Sequence, residues 1–236
     1  MPDAVVCLPT YNERENLERM IEALAPLGVR VLVIDDNSPD GTGKIADELA
    51  ATRDWLSVLH RTTKEGLGRA YIAGFHEVLA GDAGYVLQMD CDFSHDPADV
   101  PRLIAAVEAG ADLALGSRYV AGGGTSNWGL TRQLISRGAS IFTRLILMPV
   151  HDATGGFKCW RREVLESIDL DSIDAAGYVF QIETTYRTRR KGFKVVEVPI
   201  HFADRTAGQS KMSRAIVFEA VWKVPALRLA ALTGRL

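Results

Sequence analysis

Long apolar runs are missing from this chain of 236 residues. No stretch approaches the roughly 18 consecutive apolar residues that a bilayer-spanning helix needs. The nearest candidate, Ile141 to Val150, is broken by Arg144. Met1-Pro2-Asp3 has neither the basic start nor the apolar core of a secretion signal. Cysteine is scarce as well. Cys7, Cys91 and Cys159 are odd in number, far apart and without paired spacing. That pattern excludes a disulfide framework and a zinc site, and reads as buried thiols in a reducing compartment, so the chain is expected in the cytoplasm. Nor is there an excess of one charge: 27 Lys+Arg stand against 30 Asp+Glu, a net of −3. A general nucleic-acid binder is therefore disfavoured. No GxGxxG, GxxxxGK[ST] or GxSxG pattern occurs, and Gly66-Leu67-Gly68 lacks both a third glycine at the right spacing and a strand before it. A dinucleotide dehydrogenase, a P-loop NTPase and a serine hydrolase all lose their usual signature.

What remains is an ordinary globular composition, 47% apolar and 24% charged, long enough to bury a core without covalent staples. Short apolar runs alternate with amphipathic segments. Ala4–Leu8, Arg30–Ile34, Leu56–Leu59, Tyr85–Met89, Ala111–Leu115 and, later, Val195–Val198 read as strands. Leu17, Met20, Ile21 and Leu24 recur at helical spacing, with Asn12 and Glu15 offering a capping box. Further helices are expected over Gly41–Thr52, Leu67–Ala80, after Pro97, and over Arg132–Met148. The β-α-β-α order predicts an α/β fold with a mostly parallel sheet, helices on both faces and right-handed crossovers. Ala121–Thr125, with three successive glycines, reads as a mobile loop, a candidate gate together with Trp128. Ser213–Leu232 is expected to be a final amphipathic helix, interrupted at Pro225.

In an open parallel sheet, ligands bind beyond the carboxyl ends of the strands. Polar clusters follow three strand ends here: Pro9–Glu13, Asp35–Thr42 and Asp90–Pro97. Each alone is ordinary helix-capping chemistry; three at one sheet edge converge on one crevice. Asp90 and Asp92, two residues apart after an apolar strand, can hold a hard divalent cation, since Mg2+ takes one or two carboxylates with substrate phosphates and water. Asp35, Asp36 and Glu13 add further carboxylates to the same edge.

These clusters, in this order, resemble the inverting family-2 glycosyltransferases of the GT-A type, and within them the polyprenol-phosphate (dolichol-phosphate) mannose synthases. The resemblance rests on LPTYNE at Leu8–Glu13, VIDDNSPDGT at Val33–Thr42, Lys64–Gly68 and MDCDFSHDP at Met89–Pro97. It continues through GSRY at Gly116–Tyr119, Leu130–Arg132 with Ile135–Ala139, and DATGGFKCWRREVL at Asp152–Leu165. GYVFQIE at Gly177–Glu183, VPIHFADR at Val198–Arg205 and Gly208–Lys211 complete it. It implies a Rossmann-like GT-A domain that moves mannose from GDP-mannose to a polyprenyl monophosphate with inversion. By the same resemblance Pro9, Tyr11, Glu13 and Asp36 line the nucleotide pocket with Asp35 beside them. Asp90 and Asp92 hold Mg2+ or Mn2+, with Ser94 where some relatives complete the metal shell with Gln. Arg118, Arg132, Arg205 and Lys211 bind donor and acceptor phosphates. Guanidinium forks suit that task, because two strongly anionic substrates repel each other. Glu183 is a candidate for shaping the acceptor end.

The acceptor implies a membrane surface as partner. Residues 205–236 carry six basic side chains against the single acid Glu219, a net of +5, which leaves −8 on residues 1–204. Residues 1–204 are thus read as the catalytic domain, and 205–236 as a basic, membrane-facing appendage whose Ile216, Val217, Ala220, Val221, Val224, Leu227 and Leu232 form one apolar face. Relatives lacking an anchor can be tethered by a small membrane subunit, so a partner of that kind is compatible with this chain. Two alternatives stay open from sequence: the same chemistry with UDP-glucose, and a non-catalytic nucleotide-sugar-binding module. A nucleotidyltransferase is disfavoured, because a glycine- and arginine-rich loop would replace LPTYNE.

Overall fold

The computed structural model describes residues 3–126, 128–174, 177–203, 214–234 and 236, with backbone alone over 214–220. The elements in chain order are β1 (Ala4–Thr10), α1 (Leu17–Leu24), β2 (Arg30–Asp35), α2 (Thr42–Ala50), β3 (Leu56–His60), α3 (Leu67–Ala80), β4 (Tyr85–Gln88) and α4 (Val100–Glu108). There follow β5 (Leu113–Ser117), β6 (Gly124–Ser126), α5 (Leu130–Ile146), β7 (Lys158–Arg161), α6 (Arg162–Ser167), α7 (Tyr178–Arg190), β8 (Val195–Pro199), β9 (His201–Ala203) and α8 (Arg214–Leu232).

The main sheet has seven strands in the order β3-β2-β1-β4-β7-β5-β8. Every pairing is parallel except those of β7, which runs antiparallel between β4 and β5. Strands β1 and β4 are apolar on both faces because helices cover both: Val6 and Leu8 pack on the α1 and α4 side, Val5 and Cys7 on the α3 side. In α1 the residues Leu17, Met20, Ile21 and Leu24 are all fully buried, each burial contributing about 1.5–3 kcal/mol. On the other face α3 lies so close to β2 that a Cβ on Gly74 would sit 2.3 Å from Ile34 Cδ1, so any larger residue there would force the Ile34 side chain to shift.

Four local expectations change. No capping box forms: Asn12 adopts a left-handed turn at φ 59°, its N–H goes to Ser38 Oγ at 3.1 Å, and α1 starts at Leu17. The glycine segment is partly ordered, because β6 pairs in parallel with β9 to form a second, two-stranded sheet. β7 and α7 were not read from sequence. Lys158 at the start of KCWR and the run of polar residues in α7 disguise two elements that are almost entirely buried. Finally, α8 runs through Pro225 without a break. Pro225 and Val221, whose carbonyl loses the proline's missing N–H, are both exposed. Its apolar residues divide between two faces. Val224, Leu227 and Ala231 pack with Ile182 and Tyr186 of α7, whereas Val221 and Leu232 are exposed. Ile216, Val217 and Ala220 lie where no side chains are described.

Candidate active site

The carboxyl ends of β1, β2 and β4 open onto one cavity of about 390 Å³. The sheet order arranges its walls. On the β1–β2 side stand Pro9, Tyr11, Glu13, Asp36 and Lys64; at the end of β4 stand Asp90 and Asp92; beyond them, from β5, α5 and α7, come Arg118, Arg132 and Gln181. A carboxylate pair thus sits between two cation-bearing walls.

On the first wall, Lys64 Nζ lies 3.5 Å from the centre of the Tyr11 ring. Arg61 donates to Asp36 at 2.5 Å and to Glu65 at 2.6 Å. Burial pushes the Asp36 carboxyl above the usual carboxylate range, and the facing Arg61 charge only partly offsets it. Asp35 does not line the cavity. It is buried one layer below, accepting from Thr10 Oγ1 at 3.2 Å, Ser38 Oγ at 2.6 Å and Ser38 N–H at 3.1 Å. Its role is to fix the loop that presents Asp36.

At the end of β4 the two carboxylates are held by different devices. Tyr71, fully buried on α3 and stacked on Phe180, donates its hydroxyl to Asp90 Oδ1 at 3.0 Å. Burial raises the phenol pKa, with the Asp90 charge adding to it, so Tyr71 stays a donor. Asp92 Oδ1 accepts the Ser94 N–H at 3.0 Å across Phe93, which is forced to φ 60°. A bulky residue in that region costs on the order of 1–2 kcal/mol, and Arg19 stacking 4.9 Å over the Phe93 ring helps retain it. His95 accepts the Asp90 N–H on Nδ1 at 3.2 Å and stacks on Phe157. Burial lowers its pKa, so the ring is neutral with its proton on Nε2. Ser94 does not line the cavity; its Oγ is buried without a hydrogen-bond partner among the described residues, and only its backbone serves Asp92. Two carboxylates with open cavity before them fit a hard divalent cation that takes its other ligands from phosphate and water. Among the described residues no third His, Cys, Asp or Glu joins them.

On the far wall Arg118 is committed to a partner. Its Nε and Nη2 donate to Asp152 at 2.7 and 2.5 Å, and Nη2 also to Thr154 Oγ1 at 2.8 Å. Burial works against the guanidinium charge, but the Asp152 carboxylate outweighs it and keeps Arg118 protonated. Asp152 is itself placed by its N–H to Glu197 at 2.9 Å. Trp128, buried although it lies in the loop before α5, packs between Arg118 and Arg132, with the Arg132 guanidinium 4.1 Å from its ring centre and Phe202 edge-on. Gln181 also lines the cavity. Its Oε1 accepts from Lys158 Nζ at 3.0 Å and from Gln88 Nε2 at 2.6 Å, which fixes the Nε2 end on the Gly156 side. Glu183 faces away: Arg187 clamps it at 2.9 and 2.6 Å, tying α7 to the segment after α6. It is a structural carboxylate. Arg205 and Lys211 lie outside the described residues.

Tyr71, His95, Gln181 and Lys64 thus join the site without having been assigned to it from sequence. Lys64 and Gln181 sit inside recognised motifs; Tyr71 and His95 carry no signal beyond an aromatic at a helical or turn position.

Residues 5–169 match the family described as glycosyl transferase family 2. The chain is 50% identical over 224 residues to a polyprenol monophosphomannose synthase of Mycolicibacterium smegmatis, covering 93% of this chain and 84% of that one. It is 48% identical over 227 residues to an undecaprenyl-phosphate mannosyltransferase of Micrococcus luteus, covering 95% and 93%. Among solved structures it superposes on mannosyl-3-phosphoglycerate synthase from Rubrobacter xylanophilus with a TM-score of 0.70 at 17% identity, over 99% of this chain and 75% of that one. A mannosyltransferase from Pyrobaculum calidifontis, solved with GDP-Man and Mn2+, gives 0.59 at 16% identity, over 99% and 74%. The seven-stranded, mostly parallel sheet is the GT-A fold of these structures, and the chain belongs to glycosyl transferase family 2.

Proposed function

We propose that this chain transfers mannose from GDP-mannose to the phosphate of a polyprenyl monophosphate, with inversion at the anomeric carbon, at the cytoplasmic face of a membrane. Two relatives sharing about half of its residues over nearly its whole length carry names for mannosyl transfer to such lipids. The observation that carries the reading is the order of the cavity walls. A wall bearing Tyr11, Asp36 and Lys64, a carboxylate pair at Asp90 and Asp92, and an arginine-lined wall at Arg118 and Arg132 follow one another across the sheet edge.

The chemistry then needs little from side-chain acids or bases. A phosphate monoester has a second pKa near about 6, so the acceptor is largely a dianion at neutral pH. Its oxygen attacks the anomeric carbon from the side opposite the departing GDP. Asp90 and Asp92 would hold Mg2+ or Mn2+, which when bound neutralises charge on the leaving diphosphate. Arg132, held against Trp128, and Arg118, whose direction Asp152 sets, keep a fixed positive wall where the acceptor phosphate must sit. Fixed charges in a partly dry cavity align the reactants and cost no reorganisation during the reaction. The Gln181 amide, locked by Lys158 and Gln88, offers an N–H to a sugar hydroxyl or phosphate oxygen on the same wall.

Acceptor chemistry tests this directly. With GDP-mannose, polyprenyl phosphate should accept mannose and unphosphorylated polyprenol should not. The rate should fall as pH drops below about 6, where the acceptor loses its dianion. Transfer to polyprenol at a comparable rate, or a rate unchanged down to about pH 5, would refute a phosphate nucleophile.

A further inference from the structure

Gln181 and His95 meet the cavity from different elements, α7 and the turn after β4. Both side chains are buried. Each has one polar atom tied down by a donor behind it, and that tie decides the polarity of its free end.

Behind Gln181 stands the fully buried Lys158, whose Nζ donates to Gln181 Oε1 at 3.0 Å and to the Gln181 backbone oxygen at 2.8 Å. An ammonium group can only donate, so the amide oxygen must face it. Gln88 Nε2 donates to the same oxygen at 2.6 Å. Turning the amide over would set its NH2 group against an ammonium, so Nε2 stays on the other side. Behind His95, the Asp90 N–H donates to Nδ1 at 3.2 Å. A backbone N–H likewise only donates, so the ring carries its proton on Nε2. Phe157, stacked at 4.9 Å between ring centres, and Phe202, edge-on at 5.4 Å, hold the ring in that orientation.

Ser94 Oγ and Trp128 Nε1 lack hydrogen-bond partners among the described residues and are sealed from solvent; the two Nε2 atoms of Gln181 and His95 do not belong to that sealed set. Gly156, which also lines the cavity, lies between them. A Cβ on Gly156 would stand 3.4 Å from Gln181 Nε2 and 3.6 Å from His95 Cε1. The missing side chain thus leaves open the gap that the two groups flank. His95 belongs to the Asp90 end of the cavity and Gln181 to the wall of Arg118 and Arg132. The gap therefore lies between the carboxylate pair and the arginines. Phosphate oxygens are the natural ligands of the arginines. A neutral amide and a neutral imidazole, each offering one N–H, suit neutral hydroxyl oxygens instead. In a sugar transfer, the group that lies between the leaving diphosphate and the acceptor phosphate is the sugar itself.

We propose that Gln181 Nε2 and His95 Nε2, on either side of Gly156, form the subsite that reads the hydroxyl groups of the hexose on the donor. This deepens the sugar-transfer reading above and rests on it. A ligand seated there without a hydroxyl to accept would leave both N–H groups desolvated and unpaired, which is how a polar pocket rejects an analogue lacking the group it was built for.

Calorimetry of the full chain with Mg2+ and no acceptor tests the proposal, by comparing affinity for GDP-mannose with affinity for GDP. Their ratio isolates the sugar. Gly156→Ala adds one methyl group at ordinary contact distances from the protein, so the fold accepts it while the gap is filled. It should lower the ratio at least about tenfold and leave GDP affinity within about twofold of wild type. Gln181→Glu keeps an oxygen on Lys158 but replaces the N–H donor by an acceptor, and should lower the ratio as far. His95→Asn keeps an acceptor for the Asp90 N–H and loses the Nε2 donor, and should lower the ratio about fivefold. Ratios within about twofold of wild type in Gly156→Ala and Gln181→Glu overturn the proposal. So does an equal loss of GDP and GDP-mannose binding, which marks a disturbed pocket rather than a sugar subsite. If UDP-glucose binds in place of GDP-mannose, the same ratio taken against UDP decides the subsite, and only the choice of sugar nucleotide above falls. Sugar-dependent binding with no transfer to lipid refutes the acceptor reading and leaves the subsite standing. Wild type that binds neither sugar nucleotide overturns both.

Discussion

Asp152→Asn should destabilise this protein more than its size suggests. Asp152 is fully buried and Arg118 only 7% exposed. The carboxylate takes two charged hydrogen bonds from the guanidinium and a third from the Arg118 N–H at 2.9 Å. Asparagine keeps the shape but removes the charge, leaving a guanidinium out of water with only Thr154 and three aromatic rings around it. Two unit charges about 4 Å apart interact by about 4 kcal/mol at an effective dielectric constant of 20. Removing one partner of a buried pair costs about 3–5 kcal/mol in measured cases. For a chain of this size that is a fall in Tm of about 6–20 °C. Urea unfolding of Asp152→Asn, Arg118→Met and the double variant closes a cycle, and the coupling energy should be at least about 2 kcal/mol. Because Arg118 walls the cavity, Asp152→Asn should also slow transfer at temperatures where it remains folded. Single losses under about 1 kcal/mol with coupling under about 0.5 kcal/mol would refute the idea that Asp152 sets Arg118.

Three further outcomes follow from the site. Tyr71→Phe removes only the hydroxyl on Asp90, and should raise the metal concentration for half-maximal activity by about 10–100-fold while the fold survives; an unchanged metal titration would mean that Tyr71 is simply core. Asp92→Asn should abolish metal-dependent turnover without altering the circular dichroism spectrum, and full activity would remove it from the metal site. Lys158 is fully buried, with its Nζ donating to Gln181 O, Gln181 Oε1 and Thr184 Oγ1, and burial holds its pKa well below 10.5. The unfolded lysine therefore binds a proton more readily than the folded one. Wild-type stability should rise relative to Lys158→Met as pH increases towards 10.5, by at most about 1.4 kcal/mol per unit; parallel pH curves would contradict that.

The parallel half of the sheet was legible because its strands are apolar runs and its helices are amphipathic at the right spacing. Asp36, Asp90 and Asp92 were legible because each follows such a strand. β7 was hidden because its Lys158 satisfies itself on α7 rather than on solvent, a long-range contact that no local pattern reveals. α7 was hidden because Gln181, Glu183, Thr184 and Arg187 are polar yet buried, so the helix has no apolar stripe to read. Spacing also could not tell an aspartate that lines a cavity from one that braces a loop; Asp35 and Asp36 are neighbours with different tasks. Arg118 also carries a constraint that spacing could not show, because its partner Asp152 comes from 34 residues away. The glycine segment looked wholly mobile, but its last residues find a strand partner in His201–Ala203.

The most direct test of the central claim is a donor panel against one acceptor. Purified chain, polyprenyl phosphate in vesicles and a divalent cation are supplied in turn with radiolabelled GDP-mannose and UDP-glucose, and label in the lipid phase is counted. Lipid-linked sugar should form from GDP-mannose, and its yield should collapse in Asp92→Asn. Label appearing from UDP-glucose alone, or tight donor binding with no lipid product under any metal condition, would contradict the account.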